Sequence, residues 1–377
     1  MPRTPVLLTA IAMIVLGLLS GGTSVKAQAH PPLQYKCGPV LETFKIYPLY
    51  WGVWTTAEID AQQDYLTSLA AYMSGTGAPK GQVPMLRQYG VNSVSVAAPV
   101  TANPKGAKAL ARTDIENIIK NNAGKLPSFD AHTLIMVFPG KGSTLQGCTG
   151  CGYHASESNT AFWAVVPQDA GPTLALVTAH EIFEAATDPG VNNSKGWISH
   201  DGSEAVDKCN GPKFPFITLP FGQIPGAADD TQGGTCSTTG YIEAQKKFDQ
   251  VSLNIVTGGD DLRGDSSATA TFCFPGGSRS FTLKSQSDGA WDNNSDHVKT
   301  FTITGADLPL LFFASVTITL TSHNSFPETD DNWDIQSVRV TVKGPGGSGC
   351  VLDQKGSPLS RLTGSSPSVT LYRGKGC

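Results

Sequence analysis

The chain has 377 residues, with 27 basic and 31 acidic side chains and a formal net charge of -4. It contains no basic cluster, so a nucleic-acid partner is excluded on charge. Charged residues are only 15%, while 41 glycines and 25 prolines run through the chain. That composition suits a loop-rich extracellular protein, and the length suits two domains.

Residues 1–29 read as a signal peptide. Arg3 supplies a basic start, Pro5 to Leu19 an apolar core too short to span a bilayer comfortably, and Ala27-Gln28-Ala29 a small-x-small cleavage site. Its removal takes away Arg3 and Lys26 and no acid, so the charge of -4 becomes -6. No later apolar run approaches the ~18 residues of a membrane span. The product is therefore expected to be secreted and not membrane-embedded. Its eight cysteines should mostly form disulfides in an oxidising compartment.

Residues 30–256 read as alternating strands and helices, an α/β (α+β) unit. Phe44 to Trp51 is a strand candidate, which Pro48 would place at an edge or bulge. Thr55 and Glu58 form a capping box for a helix whose apolar residues Ile59, Tyr65, Leu66, Leu69, Ala70 and Met73 recur at helical spacing. Val91 to Val96 is a short strand. Thr113 and Glu116 open a second helix carrying Ile115, Ile118 and Ile119. Thr133 to Phe138 is continuously apolar, as a central strand covered on both faces would be. A glycine-rich loop from Gly147 to His154 follows, in which Cys148 and Cys151 read as structural disulfide cysteines, and then a strand from Thr160 to Val166.

The next segment, Val177 to Pro189, carries the chemistry. On a helix, His180 and Glu184 lie one turn apart on one face with Glu181 beside them. That spacing lets an imidazole and a carboxylate converge on one cation, while the intervening acid holds a water against it. Flanking apolar residues predict that this helix is buried, and buried ionisable groups must be paired or bind a cation. Between Gly190 and Gly240 the chain is mostly irregular. A bridge between Cys209 and Cys236 would reduce the entropy of that segment, and His200 competes with Glu204 as a further ligand.

Residues 257–377 read as an all-β sandwich. Short period-two strands are expected at Ala268–Phe274, Ser280–Lys284, Val298–Ile303, Val316–Leu320, Val338–Val342 and Val369–Tyr372. Asp260, Asp261 and Asp265, or Asp330 and Asp331, are candidate calcium ligands, since clustered hard oxygens need a cation to offset their repulsion. Trp291 and Trp333 read as core or edge packing, with a lectin-like role as the alternative. Cys37, Cys148, Cys151, Cys209 and Cys236 precede the division at 256/257, while Cys273, Cys350 and Cys377 follow it. Both counts are odd, so either one bridge crosses the division or each side keeps an unpaired thiol.

Three family resemblances add to this reading. The His180–Glu184 segment resembles the helix of thermolysin-like gluzincins, a zincin-type fold, with Glu184 in place of the second histidine. Their Ala-x-Thr-Asp continuation matches Ala185 to Asp188, and their downstream Glu-Ala ligand segment matches Glu204-Ala205. The resemblance implies zinc held by His180, Glu184 and Glu204, with Glu181 as general base. Asp207 would orient His180, although it falls one residue earlier than in that family. In such a fold the edge strand beside the active helix lines the substrate cleft, so Tyr153 and His154 would face the metal as transition-state donors. The run from His180 to Pro189, with Trp197 and Glu204 to Cys209, is also similar to the plant Exordium/phosphate-induced proteins, which implies a scaffold without an assigned activity. The C-terminal part resembles a PLAT/LH2-like sandwich. The expected function is a zinc-dependent hydrolase acting on peptides or proteins. The alternative is a non-catalytic protein associated with cell-wall polysaccharide, in which the metal is a structural clamp.

Overall fold

The computed structural model describes residues 33–373, apart from 77–82, 105–107, 149, 159–160, 191–195, 200–201, 210–215, 220–221, 230–234, 238, 241–246, 275–276, 304–307, 310–312, 324–329 and 346. The signal-peptide reading and His200 lie outside the described residues. The described chain is mostly β-sheet with three α-helices.

The N-terminal part is built on a mixed sheet. Strand β1 (Thr43–Trp51) is followed by α1 (Thr56–Met73), β2 (Ser93–Val96) and α2 (Arg112–Asn121). Then come β3 (Thr133–Pro139), β4 (Tyr153–Ser158), β5 (Ala161–Val165) and α3 (Leu174–Thr187). The strand order is β2-β1-β3-β5-β4, and a short strand, Val100–Ala102, also pairs with β1. All these pairings are parallel except β5–β4, which places an antiparallel strand at the edge.

Strand β3 is buried at every position, as its apolar run predicts. Its alternate residues feed two cores. Leu134, Met136 and Phe138 join the layer that includes residues of α1 and α3, whereas Ile135 and Val137 pack with Ile115, Ile118 and Ile119 of α2. Helices thus cover both faces of the sheet.

Local sequence explains most of these elements, with two corrections. Thr55 caps α1 through the expected reciprocal box with Glu58. For α2 the cap falls two residues ahead of Thr113, because the Asp114 carboxylate accepts the Ala111 N–H at 2.9 Å. Pro48 lies within an interior strand and not at an edge. It occupies the gap between the partners of β1, which pairs through Ile46 with β2 and from Leu49 onward with Val100–Ala102. A missing N–H costs no ladder bond on that side.

The C-terminal part is a pair of four-stranded antiparallel sheets. Its strands are β6 (Gln250–Thr257), β7 (Ser267–Phe274), β8 (Gly277–Lys284), β9 (Asp296–Thr302), β10 (Ser315–Thr321), β11 (Trp333–Gly344), β12 (Gly347–Leu362) and β13 (Ser368–Tyr372). One sheet runs β9-β6-β11-β12 and the other β8-β7-β10-β13. Strand β6 alternates buried Val251, Leu253 and Ile255 with half-exposed neighbours, so the sandwich begins ahead of the division expected at 257. Trp291 and Trp333 are buried and meet edge to face at 5.8 Å, which makes them core residues and removes the lectin platform.

A disulfide between Cys37 and Cys273 ties the N-terminal part to β7, so a bridge does cross the division, as the odd cysteine counts allow. Beside it, the Tyr35 hydroxyl lies 2.6 Å from the Gly38 carbonyl and 3.1 Å from that of Phe274. Cys148–Cys151 and Cys209–Cys236 are bridged as well. Because the Cys37–Cys273 bridge closes a separation of 236 residues, replacing both cysteines by serine should destabilise the protein by about 2–5 kcal/mol. Chemical denaturation of the double variant measures this. An unchanged midpoint, or a non-reducing peptide map lacking the Cys37–Cys273 cross-link, would contradict the arrangement.

Candidate metal centre

Three separate elements bring ionisable groups to one buried patch. Helix α3 ends at Thr187, two residues before Pro189, whose ring disfavours helical geometry at Asp188. Along α3, Glu181, Glu184 and the following Asp188 lie at helical spacing, and all three are buried. On β4, neighbouring side chains point to opposite faces. His154, opposite Ala164 in the register, turns toward α3. Tyr153 turns the other way and packs edge to face on Trp163 at 5.5 Å, within the core that includes α2. Its hydroxyl is buried without a described hydrogen-bond partner, and burial pushes its pKa up to about 12. The expected pairing of Tyr153 with His154 at a metal is therefore corrected: strand alternation delivers His154 alone.

The third element is the loop from Glu204 to Cys209, fastened by the Cys209–Cys236 bridge and by the buried Ala205 and Val206. The Asp207 N–H donates to Glu184 Oε1 at 3.1 Å, which sets the loop against α3.

Two imidazoles organise the patch. His180 Nε2 lies 3.1 Å from Glu184 Oε2 and 3.6 Å from Asp207 Oδ1. His154 Nδ1 lies 3.6 Å from Glu181 Oε2, and its Nε2 lies 3.5 Å from Glu204 Oε1 and 3.1 Å from the Asp188 carbonyl. Asp188 in turn accepts the Gly196 N–H at 2.5 Å. Two trios have donor atoms within 4.8 Å of one another, His180–Glu184–Asp207 and His154–Glu181–Glu184. The structure thus joins His180 and Glu184 as the sequence implies, but it gives Asp207 the place expected of Glu204. Glu204 serves His154 instead. The sequence suggested His154 only as a donor to substrate, because nothing in its neighbourhood shows that β4 lies against α3.

The electrostatics follow from burial and pairing. Burial works against the charged form of His180, but hydrogen bonds with Asp207 and Glu184 outweigh it and raise its pKa to about 10. His154 is likewise opposed by burial and held well above the usual histidine range by Glu181 and Glu204. Burial raises Glu184 to about 8 against the pull of His180. Asp188 rises to about 7 for the same reason, despite the Gly196 N–H. Asp207 is lowered by its hydrogen bond with His180. Glu204 is lowered because its contact with His154 overcomes burial.

Close packing preserves this geometry. A Cβ at residue 152 would lie 2.6 Å from Glu181 Cγ and 2.7 Å from the Val165 carbonyl oxygen, so Gly152 is what lets Glu181 sit against the sheet.

The acidic loops of the sandwich do not gather into a comparable cluster among the described residues. Basic side chains of the protein lie against several of these aspartates. Arg361 bridges Asp260 at 2.6 Å and Asp334 at 3.0 Å, Arg263 pairs with Asp331 at 3.3 Å, and His323 approaches Asp265 at 3.4 Å. Lys284 is fully buried and donates to the carbonyls of Arg263, Gly264 and Ser266 at 2.7, 3.1 and 2.6 Å. An ammonium there satisfies carbonyl oxygens that would otherwise call for a bound cation. Neither Asp261 nor Asp330 belongs to a ligand group among the described residues.

No protein-family model matches the sequence, and no curated protein matches it. Among solved structures, Clostridium perfringens alpha-toxin from an avian strain is similar over 35% of this chain and 32% of its own, at 16% identity and a TM-score of 0.27. The alpha toxin of Clostridium absonum is similar over 34% and 32%, at 14% identity and 0.27. A LOX variant, Delta413-417:GS, is similar over 33% of this chain and 16% of its own, at 11% identity and 0.25. The chain therefore spans a third or less of each of these proteins.

A cation entering the His180–Glu184–Asp207 trio must displace protons, because pKa values of about 10 and about 8 leave His180 and Glu184 protonated at neutral pH. Zinc affinity should therefore rise with pH by about tenfold per pH unit for each proton released, more steeply below about 8 and less steeply from there to about 10. Calorimetry in buffers of different ionisation enthalpy measures the release. Affinity that is flat with pH, or a heat independent of buffer, would contradict this site.

Proposed function

We propose that the chain is an exported, zinc-dependent hydrolase of peptide bonds, with a zincin-like N-terminal part and a PLAT-like C-terminal sandwich. One observation carries the reading: α3 and the Glu204–Cys209 loop bring His180, Glu184 and Asp207 within the reach of one ion. Glu181 stands in the adjoining trio. One imidazole and two carboxylates suit zinc and also admit harder ions such as manganese. The position is accessible from one side, since the Asp207 side chain keeps 47% of its exposure and catalytic sites need an open coordination position.

A zinc ion held there would supply Lewis acidity, polarising a substrate carbonyl and acidifying a water. The chain's own groups do the rest. Glu181 accepts the proton of the attacking water, and His154, 3.6 Å away, fixes the orientation of its carboxylate. Asp207 and Glu184 both lie against His180 and hold its ring in place.

Substrate class is read from the sheet. β4 is the end strand of its sheet, antiparallel to β5, and it carries His154. An extended peptide could pair along such an edge, although Arg112 already donates to the Ser156 carbonyl there at 3.0 Å. Export is supported by the bridges among the described residues. Among the described residues no helix is long and apolar enough to cross a membrane.

A second reading, a structural metal clamp in a non-catalytic wall-associated protein, is favoured by the closure of the His154–Glu181 side, where both side chains are under 10% exposed. Glu181→Gln separates the two readings. In the hydrolase it should keep the ion at His180, Glu184 and Asp207 and lose about 10²-fold or more in turnover. Glu184→Gln should weaken metal binding in either case. The assay is cleavage of a mixed peptide library by zinc-loaded protein. A wild type that cleaves nothing, or a Glu181→Gln variant as active as wild type, would leave the clamp standing.

A further inference from the structure

The geometry points to a centre for two metal ions, with Glu184 as the carboxylate they share. The inference rests on the metal-binding reading above and adds a second site to it.

The donors form two groups. His180, Glu184 and Asp207 make one trio and His154, Glu181 and Glu184 the other, each with ligand atoms within 4.8 Å. The two groups share Glu184 but not their histidines. No described trio contains both histidines, so each imidazole belongs to a ligand group of its own. Each trio by itself meets the count of three protein ligands found at an open zinc site. Glu184 has two oxygens to offer. Oε2 lies 3.1 Å from His180 Nε2, and Oε1 accepts the Asp207 N–H. A carboxylate that reaches both trios is the usual bridge between ions about 3.5–4 Å apart.

Charge points the same way. Five carboxyl groups (Glu181, Glu184, Asp188, Glu204 and Asp207) gather around two imidazoles. With the carboxyls ionised and the imidazoles neutral, as metal ligation requires, one divalent ion would leave a formal excess of three negative charges. Two ions would leave one. Buried charge in that amount is costly without a counter-ion.

The positions also differ in access. On the His154 side, His154 is 9% exposed and Glu181 7%, whereas Asp207 on the His180 side is 47% exposed. The inner position is closed by protein and the outer one faces solvent. The inner ion would therefore exchange slowly and fix the outer ligands, the outer ion would meet the substrate, and Glu181, as an inner ligand, would act by holding that ion and not as the free base of a one-ion site.

The test counts ions. Full-length protein is stripped with a chelator, reloaded with zinc alone, freed of excess by desalting and assayed for zinc per chain by elemental analysis. Wild type should hold two equivalents. Glu181→Gln and His154→Asn should each hold one, retained at the outer position. Asp207→Asn should also hold one, retained at the inner position. Thermal melts of each variant establish that it is folded. Cobalt-loaded wild type should in addition show the altered magnetic signal of two coupled ions, lost in every single-site variant. One equivalent in wild type, unchanged by Glu181→Gln, would overturn the two-ion centre and leave a single-ion site intact. No zinc in folded wild type would overturn both.

Discussion

Buried carboxylates must be compensated, and the N-terminal part of this protein is arranged around that constraint. Glu181, Glu184 and Asp188 are each 5% exposed or less, the first two on a helix packed into the core of a mixed sheet and the third just past its end. Charges at such depth survive only with partners of good geometry. The partners come from different elements: the His154 imidazole from the edge strand, the His180 imidazole from the helix, and the Asp207 N–H from a loop fastened by a disulfide, which also adds the carboxylates of Asp207 and Glu204 against the same two imidazoles. Lengthening that loop or shifting β4 by one residue would turn a paired group away and leave an uncompensated charge.

The sandwich solves the corresponding problem by another route. Its acidic loops are bridged by Arg263 and Arg361, and Lys284 takes three carbonyl oxygens at its centre. Local spacing reveals the negative charge of these aspartates but not the arginine that reaches them from β12. The two halves of the protein thus differ in kind. The N-terminal patch draws its described ion pairs from histidines, which can give up a proton to a metal, whereas the sandwich relies mainly on arginine and lysine.

How much could be read from the sequence depended on how local the signal was. Capping at Thr55, the fully buried Thr133–Pro139 strand, the helical face of His180 and Glu184, and six sandwich strands all rest on short-range patterns, and all are present. What was missed depended on distant contacts. Gln250–Thr257 has a clear alternation but sits next to the expected division. Gly347–Leu362 is broken by Gly356 and Pro358 and pairs only with β11 in its sheet. At the site, the exchange of roles between Glu204 and Asp207 follows from the Asp207 N–H meeting Glu184 across 23 residues. Likewise, the separation of Tyr153 from His154 follows from β4 being a strand and not a loop. Spacing singles out residues that the fold brings together, but their pairing is set by contacts that spacing does not carry.

The account stands or falls on where a metal binds. Anomalous diffraction at the zinc edge, from crystals of chelator-stripped protein reloaded with zinc, locates it without any assumption about activity. The account predicts a peak enclosed by His180, Glu184 and Asp207. Zinc-replete crystals with no peak among these three side chains, or with zinc only at lattice contacts, would contradict it.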